Sequence, residues 1–176
     1  MMLVPHPAFP SSSVSAVEVE LTATNWEDIL IEFRIKGERI VIPEWRTSQR
    51  SDGLWKTTCF ELFLKEHNSE RYFEFNFSPS TQWAAYEFDG YRRGMRDRNL
   101  VVEPGVELDP GRPMELSVDL DFSGMPNVAL QANISAVIEE QDGTMSYWAL
   151  AHPPGDKPDF HHPDCFVLEI PAATQT

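Results

Sequence analysis

Apolar and polar residues alternate along most of the chain, and no long stretch holds its apolar residues at helical spacing. Val17, Val19 and Leu21 alternate with Glu18 and Glu20; Ile29, Ile31, Phe33 and Ile35 are set against Asp28, Glu32 and Arg34. Further strands are expected at 39–42, 58–65, 71–78, 83–88, 100–102, 114–122, 128–139, 144–151 and 166–170. Turn chemistry separates them: Asn68-Ser69, Asp89-Gly90, Pro104-Gly105, Asp109-Pro110-Gly111 and Asp142-Gly143. About ten or eleven short strands with such breaks predict an all-β fold, an antiparallel β-sandwich. Residues 128–139 also admit a helical spacing and are the main ambiguity. A single domain is expected over 14–171, with mobile ends at 1–13 and 172–176.

Two strands carry the clearest asymmetry. Phe60, Leu62 and Leu64 form one apolar face, so Glu61 points the other way with Cys59 and Phe63. Phe73, Phe75 and Phe77 do the same next door, sending Tyr72, Glu74 and Asn76 to the opposite face. The six residues between them suit a hairpin, which would set Glu61 opposite or diagonal to Glu74 and Asn76. The result is a polar sheet face with an aromatic rim. Trp83, followed by Ala84, Ala85 and Tyr86, is expected in the core.

Composition narrows the partners. The 176 residues fit one domain with a substantial core. The net charge of −14 disfavours nucleic acid or an anionic membrane, both of which need a positive field. No run of about 18 apolar residues exists, and the first fifteen residues lack a secretory pattern, so a cytoplasmic location is expected. Cys59 and Cys165 then suit buried thiols, with a bridge between them as the alternative.

The densest candidate chemistry lies between Tyr147 and Phe166, where three of the five histidines and a run of prolines surround Trp148. A stiff, polar and aromatic loop of this kind is hard to explain by core packing and points to a binding site. Before the polar face, Arg50, Asp52 and Trp55 supply a guanidinium, a carboxylate and an indole. A flat ring with fixed hydrogen-bond partners in Arg50, Glu61 and Asn76 suits a polyhydroxylated ligand. The bland reading has Trp55 capping the core and Asp52-Gly53 making a turn. Arg92, Arg93, Arg96 and Arg98 could grip a phosphate, but a solvated surface cluster is the preferred expectation. His152, His161 and His162 with Asp159 and Asp164 make a poor metal site, because adjacent histidines on an extended chain diverge; no metal is expected. Glu61 and Glu74 could form an acid/base pair, but no catalytic motif accompanies them, and a non-catalytic module is favoured.

The ordered motifs Leu54-Trp55-Lys56-Thr57-Thr58-Cys59-Phe60-Glu61-Leu62-Phe63, Tyr72-Phe73-Glu74-Phe75-Asn76-Phe77-Ser78-Pro79 and His162-Pro163-Asp164-Cys165-Phe166 resemble the DOMON-like superfamily. More narrowly, they are similar to its bacterial branch related to the type 9 carbohydrate-binding module. The resemblance runs from about 17 to 170 and implies a β-sandwich that clamps a saccharide between two tryptophans. It implies Trp55 as the first stacking ring, Glu61 as the carboxylate in the next strand and Asn76 as a further polar ligand. Trp148 is the choice for the second ring, ahead of the His152 loop. A sister branch binds haem b, for which Met95 or Met145 with His152 or His161 would be the axial pair. The expectation is therefore a non-catalytic binding module for a small carbohydrate or sugar-like metabolite, with no cofactor. The alternatives are a protein-interaction or scaffold domain with a vestigial pocket, and a haem b electron-transfer domain.

Overall fold

Alternation along the chain becomes twelve strands in a computed structural model, which describes residues 1–172. They are β1 (Met2–Pro5), β2 (Val14–Asn25), β3 (Asp28–Gly37), β4 (Cys59–Glu66), β5 (Tyr72–Phe77) and β6 (Trp83–Phe88), followed by β7 (Arg96–Asp97), β8 (Gly105–Asp109), β9 (Met114–Leu120), β10 (Leu130–Glu139), β11 (Met145–Ala149) and β12 (Leu168–Ile170). Helix among the described residues is confined to two 3-10 turns, Leu54–Lys56 and Pro163–Cys165. The ladder runs β7-β6-β5-β4-β10-β11-β1-β2-β3-β9-β8, antiparallel throughout, with β12 added to β10. This long sheet curls at β1, so that β2, β3, β9 and β8 lie over β4, β5, β6 and β10. Phe33 of β3 and Phe60 of β4 are not ladder neighbours, yet their ring centroids are 4.7 Å apart, which is contact across the sandwich.

The core follows from strand parity. Ile29, Ile31, Phe33 and Ile35 from one layer meet Phe60, Leu62, Leu64, Phe73, Phe75 and Phe77 from the other, all within one apolar cluster. Trp83 belongs to it, as expected from its small neighbours. The opposite face of β4, β5, β10 and β11 is also covered. A second apolar cluster there includes Phe63, Tyr72, Tyr86, Phe88, Val137 and Phe160. Residues buried on both faces lose their polar alternation, which is why β10 looked ambiguous: eight of its ten residues are buried, Asn133 and Ser135 among them.

Three expectations need correction. Residues 39–42 form no strand: Arg39 takes φ 53°, which breaks an extended run, and only an isolated bridge joins Ile40 to Glu140. Residues 100–102 leave Val101 at 76% exposure, and the edge strand is β8, whose Val106 and Leu108 follow the alternation. The short β7 was not foreseen. The chain start, expected to be a mobile end, instead supplies β1, paired with both β2 and β11, so the sandwich begins at Met2 rather than at residue 14. It is pinned further along, where the hydroxyls of Ser11, Ser12 and Ser13 all donate to Glu140, a side chain 1% exposed. Burial raises the Glu140 pKa, but these donors outweigh it and hold the carboxyl below its ordinary value. Of the expected mobile C-terminal end, residues 173–176 lie outside the described residues.

Candidate functional site

On the outer face of β4, β5, β10 and β11, the segment 150–167 and the turn around Arg92 roof a cavity of about 630 Å³. Its floor is the polar face of the β4–β5 hairpin. The register pairs Glu61 with Asn76 and Phe63 with Glu74, so the two glutamates are diagonal neighbours on one face. Both line the cavity, yet they are only 3% and 5% exposed. Glu61 Oε2 accepts from Ser135 Oγ at 2.9 Å, the residue directly opposite on β10. Glu74 Oε1 accepts from Asn76 Nδ2 at 2.8 Å. Burial pushes both carboxyls well above the usual carboxylate range, and the Glu74 charge pushes Glu61 further.

Aromatic residues form the walls. Trp55 stands on the Leu54–Lys56 turn, which Gly53 opens with φ 73°, a left-handed conformation that suits glycine. The indole is 37% exposed and meets Tyr86 edge-on at 6.0 Å. Across the cavity Tyr147 lies between Phe9, 5.1 Å away, and Phe160, 6.3 Å away. The β1 segment is therefore part of the site, because it delivers Phe9. At the mouth, Arg92 Nη2 is 2.8 Å from Asp159 Oδ1, and Lys157 is exposed.

His161 is the histidine that enters the cavity. Its ring meets Phe63, Tyr72 and Phe88 with centroids 5.1 to 5.7 Å away. The Tyr72 hydroxyl accepts from the Arg92 backbone N–H at 3.2 Å, so its own proton is free to go to His161 Nδ1, 2.8 Å away. That assigns the imidazole proton to Nε2, which lies 3.7 Å from Glu74 Oε2. Burial, helped by the Arg92 charge, pushes the His161 pKa down to about 4, so the ring is neutral near pH 7.

Of the six residues singled out in the sequence, Trp55 and Glu61 line this cavity. Asn76 lies fully buried beneath it and holds Glu74. Arg50 is outside: it pairs with Asp52 and Asp97 and stacks 5.3 Å from the Tyr86 ring centroid, bracing the ring on which Trp55 leans. His152 is also outside, donating from Nε2 to the Val4 carbonyl at 2.8 Å and so fastening β1. Trp148 corrects the expected clamp. The β10–β11 register sets it against Ala136, which faces the sandwich interior, so the indole is a 3% exposed part of the main core and cannot oppose Trp55. Its neighbour Tyr147 occupies the cavity face instead. Tyr147, Glu74, Arg92 and His161 complete the site; Glu74 was legible from strand parity, and the other three lay in regions noted without being assigned to it.

The remaining candidates disperse. Arg92, Arg93 and Arg96 each pair with a carboxylate, and Arg98 covers the Phe73 ring at 4.3 Å, so no open fork for phosphate is assembled. Among the described residues no group of three His, Cys, Asp or Glu side chains could hold a metal ion, and no helix is long and apolar enough to cross a membrane. Both cysteines are buried free thiols. Met95 and His161 share the cavity, whereas Met145 and His152 do not line it. The donor set does not fit haem: the floor carries two carboxyls where an apolar slot is needed, and both His161 nitrogens are already directed at Tyr72 and Glu74.

No protein-family model matches the chain, and no curated protein matches it. Among solved structures, it is similar to one described as a "putative carbohydrate-binding protein" from Bacteroides uniformis, with a TM-score of 0.69 and 15% sequence identity. The match covers 93% of this chain and 83% of that one. At this identity the likeness shows the fold, an all-β sandwich shared over nearly the whole length.

Proposed function

We propose that the protein is a non-catalytic binding module for a small carbohydrate or sugar-like metabolite, held in the cavity between Trp55, Tyr147 and the Glu61–Glu74 floor. The observation that carries this is the pairing of a partly exposed indole with two buried carboxyls in one cavity. The ring offers a flat apolar surface to the C–H face of a sugar, and the carboxyls offer fixed partners for its hydroxyl groups. The solved structure of similar fold supports a binding role, as does the resemblance to the DOMON-like carbohydrate-binding branch. Glycosidase carboxylates flank the bond they cleave. Glu61 and Glu74 rise side by side from one floor, which favours gripping a sugar over hydrolysing it.

A thermal-shift screen of monosaccharides, disaccharides and sugar phosphates tests this, since a ligand at 100 times its Kd adds about 2.7 kcal/mol of stability. For any hit, Trp55→Ala and Glu61→Ala should each weaken binding by about 1 to 3 kcal/mol while the fold persists. Unchanged affinity in both variants, or no stabilisation by any sugar, would remove the proposal.

A further inference from the structure

We infer that the cavity selects an amino sugar, with the ligand's protonated amine seated between the Glu61 and Glu74 carboxyls and beside the Trp55 and Tyr147 rings. This rests on the carbohydrate-binding proposal and narrows its ligand. Neutral hydroxyl groups can be held by neutral partners alone; two carboxyls on one buried floor suit an ammonium group, whose charge offsets the cost of burying a carboxylate. No cation of the described residues bonds to either carboxyl; the Arg92 charge acts on both from the mouth, where Asp159 holds it. Glu61 receives one hydrogen bond, from Ser135, and its other oxygen, Oε1, receives none from any described residue. Glu74 has a neutral amide in Asn76 and the His161 ring as its neighbours.

The charged and titratable groups around the pair leave it unbalanced. Cys59, Lys65, Tyr72 and Tyr86 are the other titratable side chains rising from β4, β5 and β6 on this face, with Lys65 held over the Phe166 ring; Glu139 lies at the end of β10, and Tyr147 comes from β11. From the loops come Arg92, Asp159, His161 and Lys157. Arg92 is engaged by Asp159 and acts on the pair only through its charge, and Lys157 is exposed at the rim, so the deep end keeps two carboxyls with no cation bonded to either. The walls fit the same ligand: Trp55, Tyr147 and Phe160 present ring faces or edges to the space above the floor, where a cation is attracted by the ring quadrupole. Because burial favours the protonated carboxyls in the free protein, an arriving ammonium group must expel a proton from the floor.

That release separates an amine from every neutral sugar. The full chain is titrated calorimetrically between pH 6 and 7 with glucosamine, galactosamine and mannosamine, with their N-acetyl forms, and with glucose, galactose and mannose. Each titration is repeated in two buffers of different ionisation enthalpy. The expected result is a free hexosamine binding at least about 10-fold tighter than its N-acetyl and hydroxyl counterparts, with proton release on binding. In the double variant Glu61→Gln, Glu74→Gln both the preference and the release should vanish, with a melting curve to confirm folding. The release in the unmodified protein is decisive even if that variant fails to fold. Neutral sugars binding as well as or better than the amines, or amines binding without release, would overturn this inference and leave the carbohydrate proposal standing. If no sugar of either kind binds, both fall together.

Discussion

Raising the pH from 6.5 to 8.5 should destabilise the protein, and the two floor glutamates should be the cause. A carboxyl whose pKa is raised on folding binds more protons in the native state than in the unfolded one. Its contribution is fully present below the unfolded value of 4.5 and is lost as pH rises through the folded value. Other groups with resolved shifts interfere little in this window. His152 and His161 have depressed values and act in the opposite sense, but their effect is complete above the ordinary histidine value of 6.5. The Cys59 thiol is raised, yet it begins to matter only above its ordinary value of 9.0. Each excess proton is worth about 1.4 kcal/mol per pH unit, so an average excess of roughly half a proton over two units gives about 1.4 kcal/mol. For a domain of this size that is a fall in Tm of roughly 3 to 6 °C. Differential scanning fluorimetry in a constant-ionic-strength buffer series measures it, with Glu61→Gln, Glu74→Gln alongside. A flat Tm in the unmodified protein, or the same slope in the double variant, would mean that the floor carboxyls are ionised and paired.

Three further outcomes follow from the packing. Trp148→Ala should remove a core ring and cost about 3 to 5 kcal/mol, seen as a Tm drop of roughly 10 °C, and any loss of ligand binding should follow unfolding. Glu140→Ala should strip three serine hydroxyls of their acceptor and cost about 2 to 4 kcal/mol, with faster proteolytic cleavage between residues 6 and 13 as the specific readout. Haemin titration should give no six-coordinate low-spin Soret band; a band lost in Met95→Ala or His161→Ala would replace the sugar proposal with a haem one.

Strand parity made much of this legible. The alternation in β4 and β5 placed their apolar residues inward and Glu61, Glu74 and Asn76 outward, and the short connection between them set the hairpin register. Parity did not reveal which polar residues the roof would bury, since that depends on segment 150–167 folding back over the sheet. It also failed where two aromatics stand in sequence. Tyr147 and Trp148 must face opposite sides of β11, and only the pairing of Trp148 with Ala136 decides which side is the core. A larger ring against a small core neighbour packs well, so the interior takes the tryptophan and leaves the tyrosine, whose hydroxyl tolerates a wetter cavity. The chain start was missed for a different reason: β1 is four residues long with one buried side chain, Leu3, too short to show a period.

The two faces of the central strands have different consequences for change. Between the layers, each side chain touches others that are fixed by both sheets, so a lost ring leaves a void that neither sheet can close. Under the roof, the covering segment is irregular and rich in proline, and is attached at separate points: Leu150 to the Ile134 carbonyl, His152 to the Val4 carbonyl, Asp159 to Arg92 and Tyr91, His161 to Tyr72, and Asn133 to the Phe160 carbonyl. Such a cover can bury two carboxyls at modest cost to the fold while leaving their free oxygens open to a cavity. Burial of this kind lifts the carboxyl pKa values and keeps competing water scarce, so that a ligand hydroxyl or amine placed against the floor meets partners already held in position. The hairpin fixes the geometry, the roof sets the dielectric, and Trp55 at the edge remains exposed enough to receive a ring from solution.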